Sequence, residues 1–380
     1  MSKNFFFIVN SADFFISHRL PIANKLNKDG YKVFLLSSYF NKKNLEILKL
    51  FNINIININL NRSSLFFFND LIAFIKIYSL ILKFKPKIMH LVTIKPILYA
   101  GIISRITNTN TVIALTGLNF VKYINIQLSK FYLKPIYKFF IFLLKFVLNN
   151  KNSKIIVQNN DDYNFVEKMI KYKNNKIFLI KGSGANLSEY TYTQIPNHKI
   201  PKIIFPARML WDKGVEEFVE AAKIINNKKI IAKFYLVGSY DPDNINAVPI
   251  KYLNNLKNFQ GIEWVGYSDN MYNIYKNSTL VVLPSYKEGF PKSLQEAASS
   301  GRAIITTETS GCRDVIEDGV TGYLVPVNDY KILSEKILYL INNRDILISM
   351  SKKSRIKAVN EFDDNLIINQ HIQIYNMYGV

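Results

Sequence analysis

The stretch Val281–Pro326, VVLPSYKEGFPKSLQEAASSGRAIITTETSGCRDVIEDGVTGYLVP, decides how the rest of the chain is read. Thr279–Leu283 is an apolar run of the kind buried in a parallel sheet. Pro284, Ser285 and Tyr286 turn the chain, and Glu288 follows in the loop. A helix pattern opens near Lys292 with Glu296 inside it, and Ala303–Thr306 reads as the next strand after Gly301. The spacing predicts strand, loop, helix, strand, with one carboxylate beyond the first strand and a second inside the helix. In open α/β sheets ligands sit outside the carboxyl ends of the strands. Helix starts attract phosphate, and a loop carboxylate accepts hydrogen bonds from hydroxyls. Taken alone, the two glutamates also fit a turn cap and a solvated helix residue.

The surrounding residues add a pattern. Glu288, Gly289, Phe290, Pro291, Leu294, Glu296, Ala297, Gly301, Ala303, Ile304, Gly319, Gly322, Leu324 and Val325 stand in an order that resembles the GT4-type retaining glycosyltransferases of the GT-B fold. The resemblance covers their nucleotide-binding half. It implies an α/β protein of two doubly wound parallel-sheet domains facing a central cleft. It also implies that Glu288 contacts a donor sugar and Glu296 a ribose, with Gly289, Phe290, Pro291 and Leu294 around them.

Composition bounds the reading. The chain has 380 residues, 49% of them hydrophobic, and a formal charge of +21. That length supports two domains with their own cores, and the apolar content argues against disorder. Between Leu71 and Asn160 there are thirteen Lys or Arg and no Asp or Glu. Nucleic acid, an anionic membrane face, a pyrophosphate ligand or plain compositional drift each fits that excess. Cys312 is the one cysteine, so an intrachain disulfide and a cysteine metal site are excluded, which fits a reducing cytoplasm. The opening MSKNFFFIVNSADFF is too short an apolar run for a signal peptide, and no stretch is long enough to span a bilayer.

Phe5–Val9 reads as a first strand and Asn10–Ser17 as its loop. A helix is predicted from His18 to Asp29, with Ser17 as N-cap and Gly30 as its stop. The loop lacks GxGxxG, which argues against a dinucleotide oxidoreductase. Ser11, Ala12 and Asp13 stand where most GT4-type enzymes have glycines. The phrase Phe14-Phe15-Ile16-Ser17-His18-Arg19-Leu20-Pro21-Ile22 is similar to a subgroup acting on bacterial lipid-linked oligosaccharides. That similarity makes His18 and Arg19 candidates on the acceptor side. His90 sits in the strand Ile88–Val92 and reads as a core histidine more readily than a catalytic one. Thr116 follows the strand Thr111–Leu115, where many relatives carry a histidine, and is a third acceptor-side candidate.

Phe120–Lys154 holds seven Lys and nine Phe or Tyr with no acid. A helix of this composition suits a membrane interface. A buried helix with snorkelling lysines, or a single-strand nucleic-acid surface, are the other readings. Gly182-Ser183-Gly184 resembles the family's glycine-rich loop ahead of the hinge, and Ser188–Pro201 reads as a linker.

Ile203–Pro206 is then a strand, Ala207–Gly214 its loop, and a helix begins near Val215. Arg208 and Lys213 lie five apart across this turn, so both can reach one anion. The resemblance assigns both to a donor diphosphate and places Gly238 among the loops around the base. The expected domains are 1–187 for the acceptor, a linker at 188–201, 202–362 for the nucleotide sugar, and 363–380 as a closing helix on the first domain.

The reading is a retaining transferase moving a hexose or N-acetylhexosamine from a UDP-sugar to a polyprenyl-diphosphate-linked saccharide, in surface polysaccharide or glycan synthesis. Glu288, Arg208 and Lys213 are its catalytic candidates. No cofactor, metal or nucleic acid is expected. The expected partners are the nucleotide sugar, the lipid-linked saccharide and an anionic membrane surface, with the protein peripheral on the inner face. A UDP-sugar epimerase of the same fold and a non-catalytic membrane- or nucleic-acid-binding protein are the alternatives.

Overall fold

The computed structural model describes residues 3–38, 40–60, 67–116, 134–171 and 176–380. The chain forms two compact units, 1–183 with 367–380 and 184–366.

In the first unit the strands are β1 (Asn4–Ile8), β2 (Lys32–Ser37), β3 (Asn54–Asn57), β4 (Ile88–Val92), β5 (Asn110–Leu115), β6 (Ser153–Val157) and β7 (Ile177–Leu179). They lie in the order β3-β2-β1-β4-β5-β6-β7, and all the pairs are parallel. The apolar runs are continuous because both faces are covered. Phe6, Ile8, Phe34, Leu36, Met89 and Leu91 enter one core, and their alternating neighbours Phe5, Phe7, Val33, Leu35 and Val112 enter the other. The strand order reverses between β1 and β4, which makes that pair the switch point of the sheet.

The second unit repeats the plan with β8 (Lys202–Pro206), β9 (Lys233–Val237), β10 (Ile262–Gly266), β11 (Leu280–Leu283), β12 (Ile304–Thr307) and β13 (Gly322–Val325). Their order is β10-β9-β8-β11-β12-β13, again parallel, with the switch between β8 and β11. The fold is therefore the α/β, doubly wound one expected.

Three local expectations change. The loop Asn10–Ser17 is mostly helix: Ala12–His18 forms one helix and Leu20–Lys28 the next. Ser17 is not an N-cap but lies inside the first helix, where its hydroxyl bonds the Asp13 carbonyl at 2.7 Å. Arg19, at φ −127°, breaks the two apart.

The stretch 188–201, read as a linker, packs into the second unit. Tyr190 and Ile195 are buried in its core. Its carbonyls are held by arginines from elsewhere in the same unit: Arg355 donates to Tyr190, Arg302 to Thr193 and Arg344 to Ile195.

Of the aromatic, lysine-rich segment, 117–133 lies outside the described residues. Lys134–Leu148 is a helix with Leu144, Val147 and Leu148 buried. Among the described residues no helix is long and apolar enough to cross a membrane.

Candidate active site

The switch point of the second unit gathers the charged residues singled out above. After β8 the chain runs through Ala207–Leu210 and a short 3-10 turn, Trp211–Lys213, to Gly214, which opens the helix Val215–Asn227. Gly214 sits at φ +84°, and a Cβ there would stand 2.2 Å from the Pro284 carbonyl oxygen. The loop after β8 therefore lies directly on the loop after β11, a contact only glycine permits. Tyr286 N–H donates to the Asp212 carbonyl at 2.9 Å and fixes the same approach. Gly238, after β9, is equally tight: its Cβ would meet the Ala207 carbonyl oxygen at 1.8 Å. That makes Gly238 a packing requirement of the loop carrying Arg208.

These constraints bring Lys213 to Glu288. The ammonium donates to the carboxylate at 2.6 Å across 75 residues, with both side chains mostly buried. Lys287 pairs with Asp212 at 3.2 Å beside them. Arg208 leaves the start of the same loop and holds Asp241 at 2.6 Å, with its side chain 43% exposed. Asp241 had no signal in the sequence, because nothing local marks it as a partner for Arg208.

Glu296 is not a solvated helix residue. It lies in the helix Lys292–Ser299, buried. Burial raises its pKa, opposed by Lys292 at 3.7 Å and by a hydrogen bond from the Tyr190 hydroxyl. Tyr190 comes from the supposed linker and was missed for that reason. Pro291 stands at the N-cap of this helix without a side-chain cap bond, and its first turn holds no acid. The positive end of the helix dipole thus keeps its field.

Phe290 and Leu294 correct a different expectation. Leu294 is fully buried, and Phe290 packs edge-on against Phe362 at 5.6 Å between ring centres. Both side chains lie in the core of the second unit. A further acid, Glu217, lies in the first turn of the helix after Gly214. It is buried, its pKa is raised by that burial, and the Tyr286 hydroxyl donates to it. Cys312 is buried too, its thiol pushed up to about 11 by burial and then by Glu288.

The acceptor-side candidates all belong to the first unit. His18 ends the first helix, stacked on Phe14 at 4.3 Å and bonded to Ser17. Arg19 is the N-cap of the helix Leu20–Lys28 and is buried. Thr116 follows β5, half-buried. His90 is buried in β4, its Nδ1 2.7 Å from the Tyr375 hydroxyl. Among the described residues no three His, Cys, Asp or Glu side chains gather to hold a metal ion.

The second unit's site can therefore do two things. Cations on the loop after β8 can neutralise an anion, and carboxylates after β11 can accept hydrogen bonds from hydroxyls.

Comparison with known proteins follows the same division. Residues 192–357 match the family model "Glycosyl transferases group 1", and residues 6–159 match "Glycosyl transferase 4-like". The chain is 29% identical over 263 residues to the N,N'-diacetylbacillosaminyl-diphospho-undecaprenol α-1,3-N-acetylgalactosaminyltransferase of Campylobacter jejuni, covering 66% of this chain and 65% of that one. It is 28% identical over 218 residues to the capsular polysaccharide biosynthesis glycosyltransferase CapM of Staphylococcus aureus, covering 54% and 57%. Both matches span less than two thirds of the relative's length. Among solved structures, Anabaena HepE in complex with UDP-glucose superposes with a TM-score of 0.77 over 98% of this chain and 99% of that one, at 13% identity.

Proposed function

Because the chain belongs to the GT4-type glycosyltransferases of the GT-B fold, we propose that it moves a sugar from a nucleotide donor to a lipid-linked saccharide during surface polysaccharide or glycan synthesis. The observation that carries this is the Lys213–Glu288 pair, joined across the two loops of the switch point. The donor is a UDP-hexose or UDP-N-acetylhexosamine. HepE holds UDP-glucose, and the Campylobacter relative is named for transfer to an undecaprenyl-diphosphate-linked sugar.

In the proposed reaction Arg208, Lys213 and the start of the helix Lys292–Ser299 stabilise the charge that builds on the departing diphosphate. Preorganised charge of this kind usually lowers the barrier more than any other single effect in an active site. Glu288 orients the donor sugar through its hydroxyls, and Glu296 holds the ribose. No protein nucleophile is assigned. The acceptor hydroxyl attacks the anomeric carbon from the face the leaving phosphate departs from, its proton passes to that phosphate, and configuration is retained. The chemistry needs no metal.

The test is a panel of UDP-sugars with a membrane lipid extract, read by UDP release, with chelator present and absent. Release only when acceptor lipid is present supports transfer, while release without it points to hydrolysis or epimerisation. Glu288→Ala and Arg208→Ala are each expected to lower kcat/KM by about a hundredfold or more, as loss of one transition-state contact does. Unchanged turnover in both variants would remove this site from the reaction.

A further inference from the structure

The helix Val215–Asn227 buries an acid that the proposed reaction has not used. Glu217 lies in its first turn, 2% exposed, beside the core residues Val215, Phe218 and Val219. Its Oε1 accepts from the Tyr286 hydroxyl, and its Oε2 is buried with no partner. A carboxyl group taken out of water without full hydrogen bonding is costly. Apolar groups of similar volume are often as stable or more so. Filling the core therefore does not account for an acid at 217. Tyr286 is matched to it: burial, and then the bond to Glu217, hold the phenol above its ordinary pKa, so the hydroxyl stays a donor.

Tyr286 leads to the site. It stands two residues before Glu288 in the loop after β11. Ser285 and Phe290 are buried, but the residues between them, 286–289, are not. The turn that carries Glu288 is thus held by polar ties more than by packing. The Tyr286 N–H donates to the Asp212 carbonyl at 2.9 Å, and the Ser285 hydroxyl donates to the same carbonyl at 3.1 Å. The Tyr286 hydroxyl then reaches Glu217 at the far end of the same stretch. Residues 212–217 grip Tyr286 by its backbone and by its side chain. The Lys213–Glu288 pair lies next to both points of the grip along the chain. A reacting group displaced by about 1 Å can lose on the order of 100-fold in rate.

We propose that Glu217 is a positioning residue of the transfer reaction: by accepting the Tyr286 hydroxyl it holds the turn 286–289 against the loop after β8, and so sets where the Glu288 carboxylate meets the donor sugar. It acts through Tyr286 and touches no substrate. The inference rests on the transferase reading for the role of Glu288. The tether itself does not depend on turnover.

Glu217→Leu and Tyr286→Phe each remove one end of the tether. Both are expected to lower kcat roughly 10- to 100-fold, with KM for the UDP-sugar little changed. The Tm of Glu217→Leu is expected not to fall, since an apolar group replaces a buried acid. A structural role would lower Tm and kcat together, and that result overturns the proposal. The double variant is expected to be no slower than the slower single one, because both changes cut the same bond. Glu217→Gln keeps an acceptor oxygen and is expected to recover most of the turnover.

Amide hydrogen exchange on the full chain, without substrate, reads the tether directly. Exchange at 286–289 is expected to rise by about tenfold or more in both single variants and to stay parental in β11. Parental exchange at 286–289 in both overturns the proposal whatever the activity. So does parental kcat in Glu217→Leu, a double variant whose losses multiply, or a Glu217→Gln as slow as Glu217→Leu. If Glu217→Leu does not fold, Tyr286→Phe decides: lower kcat and faster exchange at a parental Tm support the tether, and a parental value of either overturns it. An absence of UDP release in the parent would count against the transferase reading alone, and exchange would still test the tether.

Discussion

At the scale of single residues, side chains the sequence marked as alike have different environments. Lys213 and Glu288 were each legible as site candidates from the strand-to-helix turns that carry them, but their ion pair was not. Glu296 was legible as a position but not as an environment, since Tyr190 reaches it from 106 residues away. The buried histidines supply a pH test. His90 is held well below the usual value and His371 down to about 3, by burial first and Arg19 next. The unfolded chain then binds protons more avidly than the folded one. Their stability contribution is full above the unfolded value of about 6.5 and is lost as pH falls toward the folded values. Glu217 and Glu296 act the other way: their raised values give a contribution full below about 4.3 and lost as pH rises. Melting between pH 7.5 and 5 is expected to show Tm falling with acid in the parent, and less steeply in His371→Phe. An equal slope in both would show that His371 stays unprotonated or is equally placed in the unfolded chain.

At the scale of elements, short continuous apolar runs were enough to find most strands, because a parallel sheet covered on both faces buries nearly every residue of a strand. The helix Ala12–His18 was missed because its seven residues, ADFFISH, are too few to show a period. The basic, acid-poor region bears a prediction that belongs to this scale. On the helices Phe67–Phe84, Ile94–Thr107 and Lys134–Leu148 large apolar side chains face out: Ile75 is 55% exposed, Ile106 66%, and Phe139 and Phe142 62% each. The buried stripes of these three helices share one core, so they form one layer on the sheet. Lys76, Lys83, Lys138 and Lys145 stand exposed among the apolar groups. Apolar anchors with lysines suit an anionic lipid face, which supports the proposal of a peripheral membrane surface. Phe139→Glu with Phe142→Glu is expected to lower co-sedimentation with phosphatidylglycerol vesicles by about tenfold or more, since it removes apolar area and adds repulsion. Undiminished binding would place the lipid contact elsewhere.

At the scale of the whole molecule, the chain closes its first unit with its last residues. The helix Asp364–Asn376 begins in the second unit, and from Ile367 on it belongs to the first. Ile367, Ile374 and Tyr375 are buried against Phe5, Phe7 and Val92. Deleting 367–380 removes these three side chains from the core, worth roughly 5–9 kcal/mol at about 1.5–3 kcal/mol each. Hydrogen exchange in β1 and β4 is expected to accelerate sharply, while protection in β8 and β11 stays. Equal protection throughout would show that the terminal helix adds nothing to the first core.

The sequence by itself determined the class of fold, most of the strands, and the charged loops of the second unit's site, because these depend on apolar runs and on turns a few residues long. Only the tertiary structure decided that 188–201 is part of a core, that Glu296 is buried under a tyrosine, and that Arg19 is a cation without a counter-charge. Each depends on partners from about 70 to more than 350 residues away, and burial, which sets the cost of a charge, has no local signature.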